Sequence, residues 1–317
     1  MSQDLPVRGY HHITMCVGSA QEDYDFHVKV LGLRMIKKTV LFDGNEPFYH
    51  LYYGNASGQE GSLVTTFPMS WKTSGSVGSG QVRILSLSVP AGSFSFWKQR
   101  LERFGYATRV ENRLGVTRLC FNHPCGIEYE IVETPDDIRK AWTEGGVPLE
   151  AAIQGMRSVT ISARDISPFS AFLVDGLGFI SEGNDGKNVR FAMGRGADAA
   201  LLEVLHEEDR PQGSWTWSCG TVHHIAFDLP TASVQMDLKL HLEGLGYTDV
   251  SEVKDRNYFN SVYVRTPAGA LFEAAVTQEK GWLKDESAET LGQDLKFPDR
   301  LNYRKDEMIA RLEPIVD

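Results

Sequence analysis

The chain has 317 residues, 42% apolar and 10% aromatic, with a formal charge of −10, enough to fill one large globular domain or two ordinary ones. Its Lys and Arg are scattered rather than clustered, which argues against a nucleic-acid partner. No run of about 18 apolar residues occurs and the opening MSQDLPVRGY lacks the regions of an export signal, so neither a membrane partner nor secretion is expected and the protein is read as cytoplasmic.

In chain order, one pattern recurs four times: a short strand, a helix closing on Leu-Gly or Phe-Gly, then further strands. HHITMCV leads to AQEDYDFHVKVLGLRMI, and ILSLSVP to GSFSFWKQRLERFGYAT. SVTISA leads to SPFSAFLVDGLGFISE, and HHIAFDL to SVQMDLKLHLEGLGYTDV. Each helix has apolar residues at spacings of three and four, as with Phe94, Trp97, Leu101 and Phe104. Each ends at a glycine suited to a left-handed cap: Gly32, Gly105, Gly178 and Gly246. HPCGIEYEIVE (123–133) aligns with TPAGALFEAAV (266–276), a turn followed by a strand, and sets Glu130 on Glu273.

The pattern predicts an α+β protein of two modules, 8–135 and 152–280, each holding two βαβββ units. A tail from 281 to 317 ends in a short amphipathic helix near Arg304–Leu312 and is expected to pack over a module or a partner chain. The four cysteines, Cys16, Cys120, Cys125 and Cys219, show no CxxC spacing. They are expected as reduced thiols rather than as a disulfide framework or a zinc knuckle.

Four of the nine histidines form two matched pairs, His11-His12 and His223-His224, at the starts of units one and four. Successive strand residues face opposite ways. Ile13, Met15 and Val17, like Ile225, Phe227 and Leu229, form apolar sets that should pack under helices, leaving His12 and His224 on the cavity side. Glu273, in the apolar strand ALFEAAV, is costly there unless paired or metal-bound, and supplies a third ligand. Two neutral imidazoles and one carboxylate leave positions open on a divalent ion, as in the facial triad of non-haem Fe(II) oxygenases. Arg157 and Ser158 occupy the equivalent place in unit three. The outer units are therefore expected to hold one site and the inner units a degenerate one, with Glu130 structural.

HHIT, DYDFHVKVLGLRMIKKT, FYHLYYGN, TTFP, HEEDRPQGSW, HHIAF and DRNYFNSVYVRTPAGALFEA resemble stretches of the vicinal oxygen chelate superfamily (glyoxalases, bleomycin-resistance proteins, extradiol dioxygenases). Within it they are most similar to the hydroquinone ring-cleaving dioxygenases, over nearly the whole chain. The resemblance implies the vicinal oxygen chelate fold, with His12, His224 and Glu273 binding Fe(II), or Mn(II) in its place. It also implies that His11, His223, Thr14, Arg256 and Tyr263 surround the substrate, with Tyr263 or His223 as base and Arg256 holding an oxygen anion. Simple alternation turns His11 and His223 away, so their roles require an irregularity at the strand starts. A small aromatic molecule and O2 are the implied partners; a homo-oligomer is left open. Asn257 stands where the family has Gly, Asn260 where it has an acid, and unit three diverges, which leaves the substrate open.

Ordinary structural roles compete with these. Tyr263 could cap the sheet and Arg256 could pair with Asp255 or Asp249. His27 and His241 are read as helical surface residues, His50 as a strand residue, His123 as preceding a turn, and His206 as ordering a loop. Two other functions remain in play: a glyoxalase-like lyase or isomerase that polarises a carbonyl with Zn(II), Ni(II) or Mn(II), and a non-enzymatic small-molecule binding protein of the resistance type.

Overall fold

The computed structural model describes residues 7–41, 47–70, 75–194, 200–214 and 216–317. Unit one contains β1 (Gly9–Val17), α1 (Ala20–Tyr24), β2 (Arg34–Val40), β3 (Tyr49–Gly54) and β4 (Leu63–Pro68). Unit two contains β5 (Val82–Val89), α2 (Phe94–Arg103), β6 (Arg109–Arg113), β7 (Val116–Asn122) and β8 (Glu128–Glu133). Unit three contains β9 (Gly155–Ala163), α3 (Ile166–Ala171), β10 (Ile180–Asn184), β11 (Asn188–Met193) and β12 (Ala200–His206). Unit four contains β13 (Thr221–Asp228), α4 (Ala232–Gly244), β14 (Lys254–Asp255), β15 (Phe259–Arg265) and β16 (Leu271–Thr277), and the tail carries α5 (Lys305–Ile309).

Helix boundaries are set locally. The side chains of Ser19, Asp165 and Thr231 accept hydrogen bonds from the backbone N–H of Glu22, Ser167 and Val234, satisfying donors that α1, α3 and α4 would leave bare. The four repeat glycines, Gly32, Gly105, Gly178 and Gly246, hold φ of 69°, 86°, 72° and 95°. A Cβ is strained in that left-handed conformation, so the same residue ends each helical segment.

The strands form two eight-stranded sheets. An outer sheet, in the order β14-β15-β16-β13-β1-β4-β3-β2, joins units one and four; an inner sheet, β10-β11-β12-β9-β5-β8-β7-β6, joins units two and three. Each sheet thus takes one unit from 8–135 and one from 152–280. At the two centres β1 pairs antiparallel with β13, and β5 with β9. Ile13, Met15, Leu85, Leu87, Val159, Ile161, Ile225 and Phe227 from these central strands share one buried core with Phe26, Trp97, Phe169, Phe172 and Leu238 from the helical segments. Burying each such side chain contributes about 1.5–3 kcal/mol before entropy is counted. The intervening residues face the other way, into the concave side of each sheet.

In the inner sheet that concave side is filled. Glu203 pairs with Thr160 across β12 and β9, as Glu273 pairs with Ala226 across β16 and β13. Both Glu203 and Glu130 are fully buried. Glu203 accepts from Arg118 at 2.6 Å, Arg113 at 2.9 Å and Arg190 at 3.0 Å; Glu130 accepts from Arg118 and Arg113 at 2.9 Å and from Ser86 at 2.7 Å. Each carboxylate is held by at least two forked arginines, so the group is a closed network with its acceptor positions filled by protein.

A second buried cluster joins the two sheets. Asp23 accepts from Tyr53 at 2.7 Å and Thr66 at 2.6 Å through one oxygen, and its other oxygen lies 3.2 Å from both His27 Nδ1 and His123 Nε2. His27 also reaches Tyr129 of β8 at 2.9 Å. His27 is fully buried, which corrects its expected surface position; the π-helical turn Asp25–Val30 that prolongs α1 rotates it inward.

The tail packs across unit one. Trp282 packs against Tyr52 and Tyr258 and donates to the Gly58 carbonyl at 2.9 Å, while buried Lys37 is bonded to Asp285 and Glu286. Among the described residues no helix is long and apolar enough to cross a membrane, and all four cysteines are free.

Two outcomes follow from these networks. Glu203→Gln leaves arginines buried without their partner and is expected to cost about 3–5 kcal/mol in urea unfolding, with no change in metal stoichiometry because the network lies in the other sheet. Burial raises the Asp23 carboxyl, but His27 and His123 lower it by more, so its pKa lies below the ordinary value. A depressed carboxyl stabilises the fold above its unfolded pKa of about 3.9 and loses that contribution as the pH falls further. Asp23→Asn is therefore expected to unfold at lower urea than wild type from pH 7 to about pH 4, with the gap narrowing below.

Candidate metal centre and active site

The site begins with two irregularities in the β1–β13 ladder. Pairing runs from Tyr10↔Phe227 to His12↔Ala226, skipping His11, and from Thr14↔His224 to Met15↔Val222, skipping His223. One extra residue on a strand is a β-bulge, which locally undoes the alternation of faces. Each histidine pair therefore turns both rings to the same side: His11 Nδ1 lies 2.8 Å from His12 Nδ1, and His223 Nδ1 lies 2.7 Å from His224 Nδ1. The inner sheet has the same bulges at Arg83 and Arg157.

Between the pairs, His12 Nε2 and His224 Nε2 are 3.0 Å apart. Glu273 Oε2 stands 2.9 Å from His224 Nε2 and 3.7 Å from His12 Nε2. Ligand bonds of about 2.1 Å at right angles would place neighbouring donor atoms about 3.0 Å apart; two of the three separations match this and the third, 3.7 Å, is wider, yet one cation still lies within bonding reach of all three atoms. All three residues are buried. Ser261 donates to Glu273 Oε1, whereas Oε2 receives no aligned hydrogen bond, an arrangement that is costly in a dry site unless a cation completes it. The donor set and its spacing fit a divalent metal.

Protonation is consistent with ligand duty. Burial pushes the His12, His223 and His50 imidazoles well below their ordinary range, leaving them neutral at pH 7. At Glu273 burial raises the carboxyl, but His224, His12 and the Ser261 hydroxyl lower it by more, so it is ionised. Burial and the Glu273 charge raise the Tyr263 phenol far above its usual value, making it a neutral donor.

A cavity of about 270 Å³ opens on this cluster, lined by His12, His223, His224, Glu273, Arg256 and Tyr263 together with Leu41, Phe67, Trp217, Phe259 and Leu271. A cavity of about 150 Å³ accepts benzene, so this one has room for a single substituted ring. Trp217 stacks on Phe67 at 5.2 Å and meets His223 edge-on at 4.3 Å. Arg256 Nε donates to Tyr263 Oη at 3.1 Å. Asn257 has φ of 70°, a conformation open to Asn as to Gly, so its presence in DRNYF keeps the loop geometry. Thr14 is buried behind the cavity, with Oγ1 2.9 Å from His224 Nε2 and 2.7 Å from Thr65 Oγ1.

His50 and Tyr52 were missed as site residues. Both line the cavity; Tyr52 Oη lies 2.9 Å from His50 Nδ1, and His50 Nε2 lies 3.0 Å from Thr65 Oγ1. Their signal lay in the repeat. Tyr52↔Thr65 in unit one matches Tyr263↔Glu273 in unit four, which sets His50 on Ser261. Two other groups place potential ligand atoms together, Asp23 with His27 and His123, and Glu111 with Cys120, Glu128 and Glu130. The first is satisfied by its own hydrogen bonds, and in the second Arg109 pairs with Glu111 and Glu128 while Arg113 and Arg118 pair with Glu130.

No family profile matches the chain. It is 42% identical over 315 residues, 98% of each chain, to a chlorohydroquinone/hydroquinone 1,2-dioxygenase of Sphingobium indicum. It is 38% identical, over 92% of this chain and 91% of the other, to MhqO of Bacillus subtilis, which is assigned as a ring-cleaving dioxygenase. Among solved structures it superposes on a protein of Bacillus subtilis assigned as a dioxygenase with a TM-score of 0.92 and 34% identity, covering 99% of both chains. Glyoxalase I of Zea mays shares the fold, with a TM-score of 0.63 and 12% identity over 90% of this chain and 97% of that one. With paired βαβββ units in the structure and relatives of this identity over nearly its whole length, the chain belongs to the ring-cleaving dioxygenases of the vicinal oxygen chelate superfamily.

Proposed function

We propose that this dioxygenase opens the ring of a hydroquinone-type aromatic with O2, using Fe(II), or Mn(II) in its place, held by His12 Nε2, His224 Nε2 and Glu273 Oε2. The observation that carries this is the convergence of two imidazole nitrogens and one carboxylate oxygen without an aligned hydrogen bond on the floor of a ring-sized cavity. Substrate class follows from the hydroquinone dioxygenase relative. A bound Fe(II) would supply Lewis acidity and redox chemistry, with positions left open for a phenolic oxygen and O2.

The chain's own residues then account for the rest. With His224 Nε2 given to the metal, its Nδ1–H is donated to His223 Nδ1, so neutral His223, like Tyr263 held as a neutral phenol, faces the cavity as a donor and not as the base, and the phenolic proton leaves to solvent as the substrate binds. Arg256 stays charged throughout and, with the Tyr263 hydroxyl, holds the oxygen that becomes anionic. Phe67, Trp217, Phe259 and Leu271 enclose the ring and exclude water, which strengthens those interactions. Ring opening beside the hydroxyl inserts both oxygen atoms.

Anaerobic reconstitution with Fe(II) followed by an oxygen electrode trace tests the assignment. Wild type is expected to consume one O2 per hydroquinone, while His12→Ala, His224→Ala and Glu273→Ala each lose bound iron and at least about a hundred-fold in rate. Iron content and rate unchanged in all three variants, or turnover of a hydroquinone without O2 uptake as a lyase would give, overturns it. Tyr263→Phe should keep its iron and lower kcat by about 10²–10³, the effect of removing one donor to a developing oxyanion; a rate within twofold of wild type removes Tyr263 from that role.

A further inference from the structure

A hydrogen-bond chain leaves the site behind His11. His11 Nδ1 lies 2.8 Å from His12 Nδ1, and its Nε2 lies 2.9 Å from Thr277 Oγ1. Thr277, the last residue of β16, donates its hydroxyl to Glu60 Oε1 at 2.6 Å. Glu60, in the turn before β4, lines a separate cavity of about 290 Å³ with Arg8 and Arg139. The chain thus runs from the metal-facing histidine through two sheet elements to a different side of the molecule.

The chemistry of the four groups fixes every proton in it. A carboxylate only accepts, so the Thr277 hydroxyl hydrogen points at Glu60. That hydrogen is then spent, and the Thr277 oxygen can only accept from His11, which must carry its proton on Nε2. A neutral imidazole with Nε2–H has its lone pair on Nδ1, so His11 accepts from His12 Nδ1–H. The remaining lone pair of His12 is therefore on Nε2, the nitrogen that faces His224 and Glu273. The His223–His224 pair differs: His223 Nδ1 meets His224 Nδ1, but its ring faces Trp217 and the cavity rather than a threonine and a carboxylate.

We propose that Glu60, acting through Thr277 and His11, selects the tautomer of His12 that offers Nε2 to the metal, so that Glu60 and Thr277 are positioning residues of the centre. This rests on His12 being a ligand. The same logic governs ligating histidines whose second nitrogen is held by an outer partner, where losing that partner weakens metal affinity by about 10–100-fold. In Glu60→Gln the amide can donate to Thr277, which frees the hydroxyl to donate to His11 and reverses the order of protons along the chain.

Two readouts on the full-length protein test the proposal. In the metal-free chain with ¹⁵N-labelled histidine, long-range ¹H–¹⁵N spectra should give wild-type His12 as the Nδ1–H tautomer and His11 as Nε2–H. Glu60→Gln and Thr277→Val should redistribute both, and Thr277→Ser, which keeps the hydroxyl, should restore them. Anaerobic Fe(II) titration against a chelator should show affinity falling about 10–100-fold in the first two variants and recovering in Thr277→Ser. Unchanged tautomers, or a tautomer change with Fe(II) affinity within twofold of wild type, overturns the proposal. Should Thr277→Val fail to fold, as judged by thermal denaturation, Glu60→Gln carries both measurements. Wild type that binds no Fe(II) yet shows His12 as Nδ1–H would remove the ligand reading while leaving the proton order intact, so the two failures are separable.

Discussion

The antiparallel pairing of β1 with β13, with one bulge on each strand, is the constraint on which the site depends. It brings together residues 212 positions apart and sets their Nε2 atoms 3.0 Å from each other. Without the bulges, period-two alternation would leave one ring of each pair in the core. With them, both rings of each pair crowd one concave face, and the inner ring of the pair orients the outer one through an Nδ1–Nδ1 contact. Such a face is unstable against water and against unpaired charge, which is why the rest of the outer sheet supplies aromatic walls and a single carboxylate.

The inner sheet shows what the same scaffold does when no ligand is to be held. It keeps the bulges, at Arg83 and Arg157, and it keeps carboxylates, at Glu203 and at Glu130. But Ile84 and Ser158 stand where the outer sheet has His12 and His224, and three arginines converge on the two carboxylates. Carboxylates held in this way leave no acceptor to be completed by a cation. One backbone thus carries an open polar centre on one sheet and a closed one on the other, and the difference lies in a handful of side chains.

Packing around the outer sheet fixes where the site opens. The tail lays Trp282 against Tyr52 and Tyr258, and buries Lys37 under Asp285 and Glu286, so the far edge of unit one is sealed by residues from the end of the chain. Asp23, His27 and His123 tie unit one to unit two in a similar way, with polar groups that are satisfied among themselves. Apart from Tyr52, neither cluster lines the cavity. Both hold the walls that do.

The sequence by itself determined the four-fold repeat, the helix-ending glycines, the apolar faces of the central strands, and the candidate set His12, His224 and Glu273. These follow from short-range rules: alternation, helical spacing, and the left-handed φ that only certain residues accept. What only the tertiary structure decided is how far those rules bend. That His11 and His223 share a face with their neighbours depends on bulges, which arise from pairing between distant strands and leave no local mark. His27 became a core residue because α1 widens into a π-helical turn, and His50 joined the site because β3 repeats the register of β15. Proton order along Glu60, Thr277 and His11 was equally invisible, since its members are near one another only after units one and four have closed into one sheet.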